Sequence, residues 1–280
     1  MQITFEGSKM TTQTVEPVSV DFASYQADPA FSASDLKVIV KQNARALWHY
    51  KFNEYAPPRL PTPAMKFGTM LHAMCLEPDT FHDKFRVVEN KRTKEGKALA
   101  LNYDKQGITA ISPIDAGLLD NMAQAICSHS KAYELLNDGL SEQSFWWTHN
   151  DTKLDLKCRC DKVNGDTIVD LKTTGEGGSS PEAFTRTITA FNYHLQAAHY
   201  LQGTGAKRFV FVVIEKTFPY NIGIYDLSTE FLDNGYEIQE QALYKVSEAV
   251  TSGIWSGYTE KCKDQIQTLD KPHWLGYSND

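Results

Sequence analysis

From Leu154 to Lys172 apolar and polar residues alternate around a central Asn164-Gly165, the pattern of a two-stranded hairpin with one face on a core. Asn-Gly suits a two-residue loop because both residues tolerate positive φ. The pattern predicts that Val163 pairs with Asp166 and that Asp161 stands opposite Ile168. Leu154, Leu156, Cys158, Cys160, Val169 and Leu171 then form the apolar face, while Asp161, Asp170 and Lys172 share the other. Asp161 and Asp170 become diagonal cross-strand neighbours, roughly 7–8 Å apart at the backbone, and their side chains can reach a shared cation.

The same reading extends along the chain. Ser34 and Asp35 predict a helix start ahead of the apolar stripe Leu36, Val38, Ile39, Ala44, Ala46 and Leu47. Thr62 is a good N-cap, Pro63 suits the first helical position, and Pro78 closes that run after Glu77. Helix is expected around residues 113–139, a strand over Ser144 to Thr148, and a helix capped by Ser180-Pro181 after the Gly/Ser-rich loop that follows Lys172. Arg208 to Glu215 reads as a buried central strand, and residues 228–252 as a long amphipathic helix. This order implies an α/β (α+β) domain with a mixed sheet flanked by helices. Residues 1–31 have few periodic apolar positions and read as a flexible or loosely packed arm, leaving 32–280 as a single domain whose ordered part ends near Lys271 to Trp274.

Composition narrows the class. With 280 residues, 41% hydrophobic and 22% charged, the chain can bury a sizeable core. No apolar run reaches the roughly eighteen residues of a membrane span, and the first residues lack a signal peptide's basic and apolar regions, so a cytoplasmic protein is expected. Cysteines 75, 127, 158, 160 and 262 are odd in number and too dispersed for a zinc or iron–sulfur spacing, which suggests reduced thiols. The net charge of −7 argues against unspecific coating of nucleic acid but leaves room for a local basic groove.

Candidate chemistry centres on the hairpin. Asp-x-Lys or Glu-x-Lys also begins at Asp35, Glu95, Asp151 and Asp155, so the tripeptide alone carries little. Only Asp170-Leu171-Lys172 sits in an apolar strand after a second aspartate. His72 follows Gly68 by one helical turn, and a glycine there costs roughly 1 kcal/mol against alanine, which suggests a close approach. A lone histidine on an apolar helix is still more often a hydrogen-bonded core residue. Lys91, Arg92 and Lys94 belong to the densest basic segment, residues 84–97, which suits phosphates or a solvated loop equally well. Gln196 and Tyr200 fall at i, i+4 beside Tyr193, and by themselves read as packing.

Taken together, Gly68-Thr69-Met70-Leu71-His72, Asp161, Asp170-Leu171-Lys172 and Gln196-Ala197-Ala198-His199-Tyr200 resemble the RecB-like branch of the PD-(D/E)xK nucleases. Cys158 to Lys162, Val169 to Thr174, Tyr193 to Ala198 and Leu269 to Trp274 are similar to the RecE-type exonuclease VIII family, over about residues 32–275. Cys160 stands where those relatives usually have proline, and the hairpin is shorter. The resemblance implies a restriction-endonuclease-like core. In it Asp161, Asp170, the Leu171 carbonyl and His72 would bind one or two Mg²⁺ ions, with Mn²⁺ as substitute. Lys172 would orient or deprotonate the attacking water, and Gln196 and Tyr200 would contact DNA or brace the site. It further implies a ring-shaped homo-oligomer, phage or prophage encoded. Such an enzyme degrades linear double-stranded DNA from its 5′ ends to mononucleotides and leaves 3′ tails for a RecT-type single-strand annealing protein. A related nuclease of other polarity or single-strand specificity, and a non-catalytic DNA-binding protein on the same fold, are the alternatives.

Overall fold

Local caps decide where most helices begin. In the computed structural model, which describes residues 16–258 and 266–272, the first half of the chain is helical. It runs α1 (Phe22–Ala27), α2 (Ala33–Lys41), α3 (Ala44–Lys51), α4 (Pro63–Leu76) and α5 (Pro78–Lys84). The short parallel strands β1 (Phe85–Val87) and β2 (Thr109–Ile111) bracket α6 (Lys94–Lys105), and α7 (Pro113–Ser128) and α8 (Ser130–Asn137) follow. The sheet-forming half contains β3 (Leu140–Thr148), β4 (Asp155–Asn164), β5 (Thr167–Thr174), α9 (Pro181–Phe191), α10 (Tyr193–Thr204), β6 (Arg208–Glu215), β7 (Ile222–Asp226) and α11 (Thr229–Ser252). Thr62 and Ser180 cap α4 and α9 as expected. The helix expected at Ser34 starts one residue earlier, at Ala33, because Ser32 as N-cap and Asp35 form a reciprocal capping box that satisfies two backbone N–H groups at once.

The five strands lie in the order β3-β4-β5-β6-β7, antiparallel except for β5 beside β6. A parallel neighbour needs a crossover, which α9 and α10 supply. Strand β6 is buried from Phe209 to Glu215 because helices cover both sides of the sheet. On one side Val169, Leu171, Val210, Val212 and Ile214 pack against Phe67, Met70 and Leu71 of α4 and Leu119 and Met122 of α7. On the other, Ile168, Phe209, Phe211 and Val213 meet Phe184 of α9 and Ala197 of α10. Each large side chain so buried contributes roughly 1.5–3 kcal/mol, which pins the sheet between its helical layers.

Two expectations about the hairpin need correction. Asn164 pairs with Thr167 and Val163 with Ile168, so the loop is Gly165-Asp166, one residue further along the chain, and each partner on β5 shifts by two residues. Only Gly165 takes positive φ, at +55°, which is the pattern of a loop with glycine in its first position. Nor is there one apolar and one polar face. Cys158 and Cys160 pack on the α9–α10 side with Ile168, whereas Val169 and Leu171 pack on the α4 side. Val163 and Cys160 both face the α9–α10 side although three residues apart, so the alternation of β4 breaks between them, at Asp161.

Of the arm expected over residues 1–31, residues 1–15 lie outside the described residues, as do Cys262, His273 and Trp274. From Glu16 onward the chain is tied to the sheet. Val18 exchanges two backbone hydrogen bonds with Ser144 on the edge strand β3, and Phe31 bridges Leu156. Lys157, almost fully buried, donates from Nζ to the carbonyls of Tyr25 and Asp28. The four described cysteines are free thiols, with Cys158 and Cys160 buried and Cys127 exposed.

Candidate active site

The site is built where β4 and β5 part. Their ladder ends at Lys162–Val169, and continuing its register would set Cys160 opposite Leu171. Instead, the backbone of Leu171 is served by side chains. Its N–H donates to Asp161 Oδ2 at 2.8 Å, and the ring of His72, reaching in from α4, places Nε2 2.7 Å from its carbonyl oxygen. A buried strand cannot leave either group unpaired without a cost, so the gap in the sheet itself selects a carboxylate and an imidazole.

The neighbouring strand shows the same irregularity. Ser141 pairs with Lys162 and Gln143 with Cys160, but Glu142, opposite Asp161, drops out of the ladder with φ at +53°. A non-glycine residue in that region marks a backbone held against its preference. One result is that His72, Glu142 and Asp161 each offer a ligand atom within 4.8 Å of the other two. Arg159 steadies Glu142 by donating from Nε to its carboxylate at 2.7 Å, and also holds the Val20 carbonyl at 2.7 Å.

Asp170 and Lys172 approach from the other side of the sheet. Asp170 is buried, and its Oδ1 accepts from Gln196 Nε2 of α10 at 2.7 Å. Its Oδ2 meets the Lys172 ammonium in a hydrogen-bonded ion pair. Lys172 lies 5.0 Å above the ring of Tyr193. Gly68, His72, Asp161, Asp170, Lys172, Gln196 and Tyr200 all line one cleft of about 1630 Å³. Gly68 is not crowded by the protein: a methyl there would meet only Thr173 Oγ1, at 4.0 Å.

The charges are mutually dependent. Burial pushes the Asp161 carboxyl up, but His72, Lys172 and the Leu171 N–H together hold it below its usual range. Burial, reinforced by repulsion from Asp161 against the pull of Lys172, holds Asp170 above it. Burial acts downward on His72, yet Asp161 raises it to about 9, and the carboxylates keep Lys172 protonated in the same way. Glu142 is raised by burial and by Asp161, with Arg159 opposing.

Among the expected site residues, His72, Asp161, Asp170, Leu171 and Lys172 are brought together, and Gln196 touches Asp170. Tyr200 lines the cleft while its ring packs edge-on to Phe209. Lys91, Arg92 and Lys94 stand apart, exposed at the start of α6 and outside the cleft lining, with Lys91 donating to the Ala110 carbonyl. Two contributors were not expected. Glu142 lies before the predicted strand, and Lys37 stands outside the apolar stripe of its predicted helix. Its Nζ donates to Gln196 Oε1 at 2.9 Å, and burial together with Lys172 pushes it down to about 7.

The profile of the PDDEXK-like domain of unknown function (DUF3799) matches residues 32–268. The chain belongs to this family. As a PDDEXK-like domain it carries the mixed sheet between helices described above, and the same fold is found in a solved candidate exonuclease from Eubacterium rectale. That structure is 14% identical, with a TM-score of 0.61, covering 95% of this chain and 96% of its own. A phage-related exonuclease from Haemophilus somnus 129PT is 12% identical with a TM-score of 0.30, covering 58% of this chain and 85% of its own. No curated protein matches. Among the described residues no helix is long and apolar enough to cross a membrane.

Proposed function

We propose that this PDDEXK-like protein is a Mg²⁺-dependent exonuclease of the RecE type. In this reading it digests linear double-stranded DNA from 5′ ends to mononucleotides, in the cytoplasm, as a ring-shaped homo-oligomer. The 3′ tails it leaves would pass to a RecT-type annealing protein. The observation that carries the reading is the gathering of Asp161, Asp170, the Leu171 carbonyl, His72 and Lys172 at one break in the sheet, facing one cleft.

The residues fit a divalent cation. Asp170 Oδ2 is buried with the Lys172 ammonium as its partner, the donors are chiefly oxygens, and a single imidazole does not exclude Mg²⁺ or Mn²⁺. Asp161, Asp170 and the Leu171 carbonyl would hold it, with His72 and Glu142 beside them. Bound there, it would supply positive charge to the attacking and leaving oxygens of a phosphodiester. Lys172, kept protonated by the carboxylates, donates a hydrogen bond to the attacking water and offsets charge on the scissile phosphate. Gln196 and the Tyr193 ring hold Asp170 and Lys172 in place.

Linear duplex labelled separately at its 5′ and 3′ ends, followed with Mg²⁺ and with chelator, tests this reading. Early metal-dependent release of the 5′ label as mononucleotide is expected, and Asp170→Ala should abolish it with an unchanged circular dichroism spectrum. Release under chelator, or normal digestion by that variant, would overturn the site assignment, and no release under any metal would favour a DNA-binding protein on the same fold.

A further inference from the structure

We propose that Lys37 is a positioning residue of this site, acting on Asp170 through the carboxamide of Gln196; the inference rests on the nuclease reading above. The flanking Leu36, Val38 and Ile39 of α2 are buried in a core shared with Leu195 of α10 and Leu243 of α11, so the backbone that carries Lys37 is fixed against the helix that carries Gln196. From there Nζ donates to Gln196 Oε1 at 2.9 Å, while Gln196 Nε2 donates to Asp170 Oδ1 at 2.7 Å.

The chemistry of a carboxamide makes the first contact consequential. Its two ends have nearly the same shape, and a half-turn would present an oxygen instead of an N–H to the Asp170 carboxylate. Protonated, the Lys37 amino group on the far end is a donor only, so in that form it accepts one orientation and rejects the other. Asp170 is thereby given a donor at Oδ1, which leaves Oδ2 directed at Lys172 and at any bound cation. Lys37 is absent from the cleft lining although Gln196 and Tyr193 belong to it, so it stands behind the site and not against the DNA. The rings of α9 and α10 accommodate the extra positive charge: Lys37 and Lys172 each lie 5.0 Å from the Tyr193 centroid, and Lys41 lies over Phe191.

A double-mutant cycle tests the relay. Mn²⁺ binding is titrated by electron paramagnetic resonance in the wild-type chain, Lys37→Met, Gln196→Met and the double variant, with kcat and KM on linear duplex measured alongside. Each single variant should weaken Mn²⁺ binding and lower kcat by about 10–100-fold, the range for removing a group that orients a metal ligand. KM for DNA should stay within about twofold, and the double variant should be no worse than the weaker single one. Lys37→Arg, which still donates to Oε1, should recover part of the loss. Additive losses in Mn²⁺ affinity would overturn the inference. So would a raised KM with unchanged kcat and a shallower salt dependence, the mark of a lysine that touches DNA. Should Lys37→Met not fold, Lys37→Gln takes its place in the cycle. A wild-type protein that binds Mn²⁺ but never releases nucleotides would remove the nuclease reading, and the Mn²⁺ cycle alone would still decide the role of Lys37.

Discussion

Leu171 carries the site through its backbone. A regular ladder would bury its N–H and carbonyl against β4, and the break at Asp161 hands them to Asp161 and His72. The same break turns Glu142 toward them, at a residue whose positive φ costs on the order of 1–3 kcal/mol and is worth keeping only where the carboxylate has a use. Glu142→Gln should therefore weaken Mn²⁺ binding by about 10–100-fold while leaving the fold in place, as isothermal titration with a parallel melting curve would read. Equal affinity would reduce Glu142 to a counter-ion of Arg159. His199 gives the residue scale a second test, away from the metal. Its Nε2 donates to the Lys157 carbonyl, its Nδ1 is buried without a partner, and burial holds the ring at about 4. In the unfolded chain a histidine titrates near 6.5, so between those values the unfolded state binds the extra proton and stability falls as pH falls. Urea unfolding at pH 7 and pH 5 should show a loss of about 2 kcal/mol in the wild-type chain that His199→Gln does not share. Equal losses in both proteins would place the acid sensitivity elsewhere.

At the scale of elements, what was legible in the sequence is what neighbours in sequence decide. Thr62, Pro63, Glu77 and Pro78 bound α4 as read, and the apolar run of β6 is a central strand, because caps and burial on both faces leave local marks. The hairpin was placed but its register was not, since Asn164-Gly165 and Gly165-Asp166 are rival two-residue loops and only the packing of β5 on β6 chooses between them. The proposed roles of Glu142 and Lys37 were invisible for a related reason: each rests on contacts with a helix or strand far along the chain. Glycines show the same division. Gly68 opens on the cleft, whereas Gly235 of α11, which no local pattern marks, lies where an added methyl would come 2.3 Å from the His194 carbonyl oxygen of α10. Gly68→Ala should accordingly raise stability by up to about 1 kcal/mol through helix propensity. Gly235→Ala should lower it by about 1–3 kcal/mol by forcing two helices apart. Thermal melting of both variants checks the pair, and the opposite order would mean that α10 and α11 have room for a methyl between them at Gly235.

For the whole molecule the proposed function raises the question of how a chain of net charge −7 would attract a polyanion. Long-range steering is unfavourable, so binding must come from cations concentrated where the phosphates pass. The cleft supplies Lys51, Lys84, Lys157, Arg159 and Lys172, but several of these are already committed: Lys157 to backbone carbonyls, Arg159 to Glu142, Lys51 to Asp35 and Lys172 to Asp170. Lys84, half exposed and paired only with Glu77 at the surface, is free to exchange that weak partner for a phosphate. Lys91 and Arg92 are exposed on the segment leading into α6, outside the cleft lining. Each phosphate neutralised steepens the fall of log K with log salt by about 0.9. Lys84→Ala should therefore flatten the slope by about 0.9, and Lys91→Ala with Arg92→Ala by about 1.8, in fluorescence-anisotropy titrations across a salt series with Ca²⁺ in place of Mg²⁺. A slope changed by Lys84 alone would confine the DNA to the cleft and return the basic segment to solvent. A slope changed by neither would mean that the duplex reaches Asp170 and Lys172 from another side, over the face of α10 that carries Tyr193.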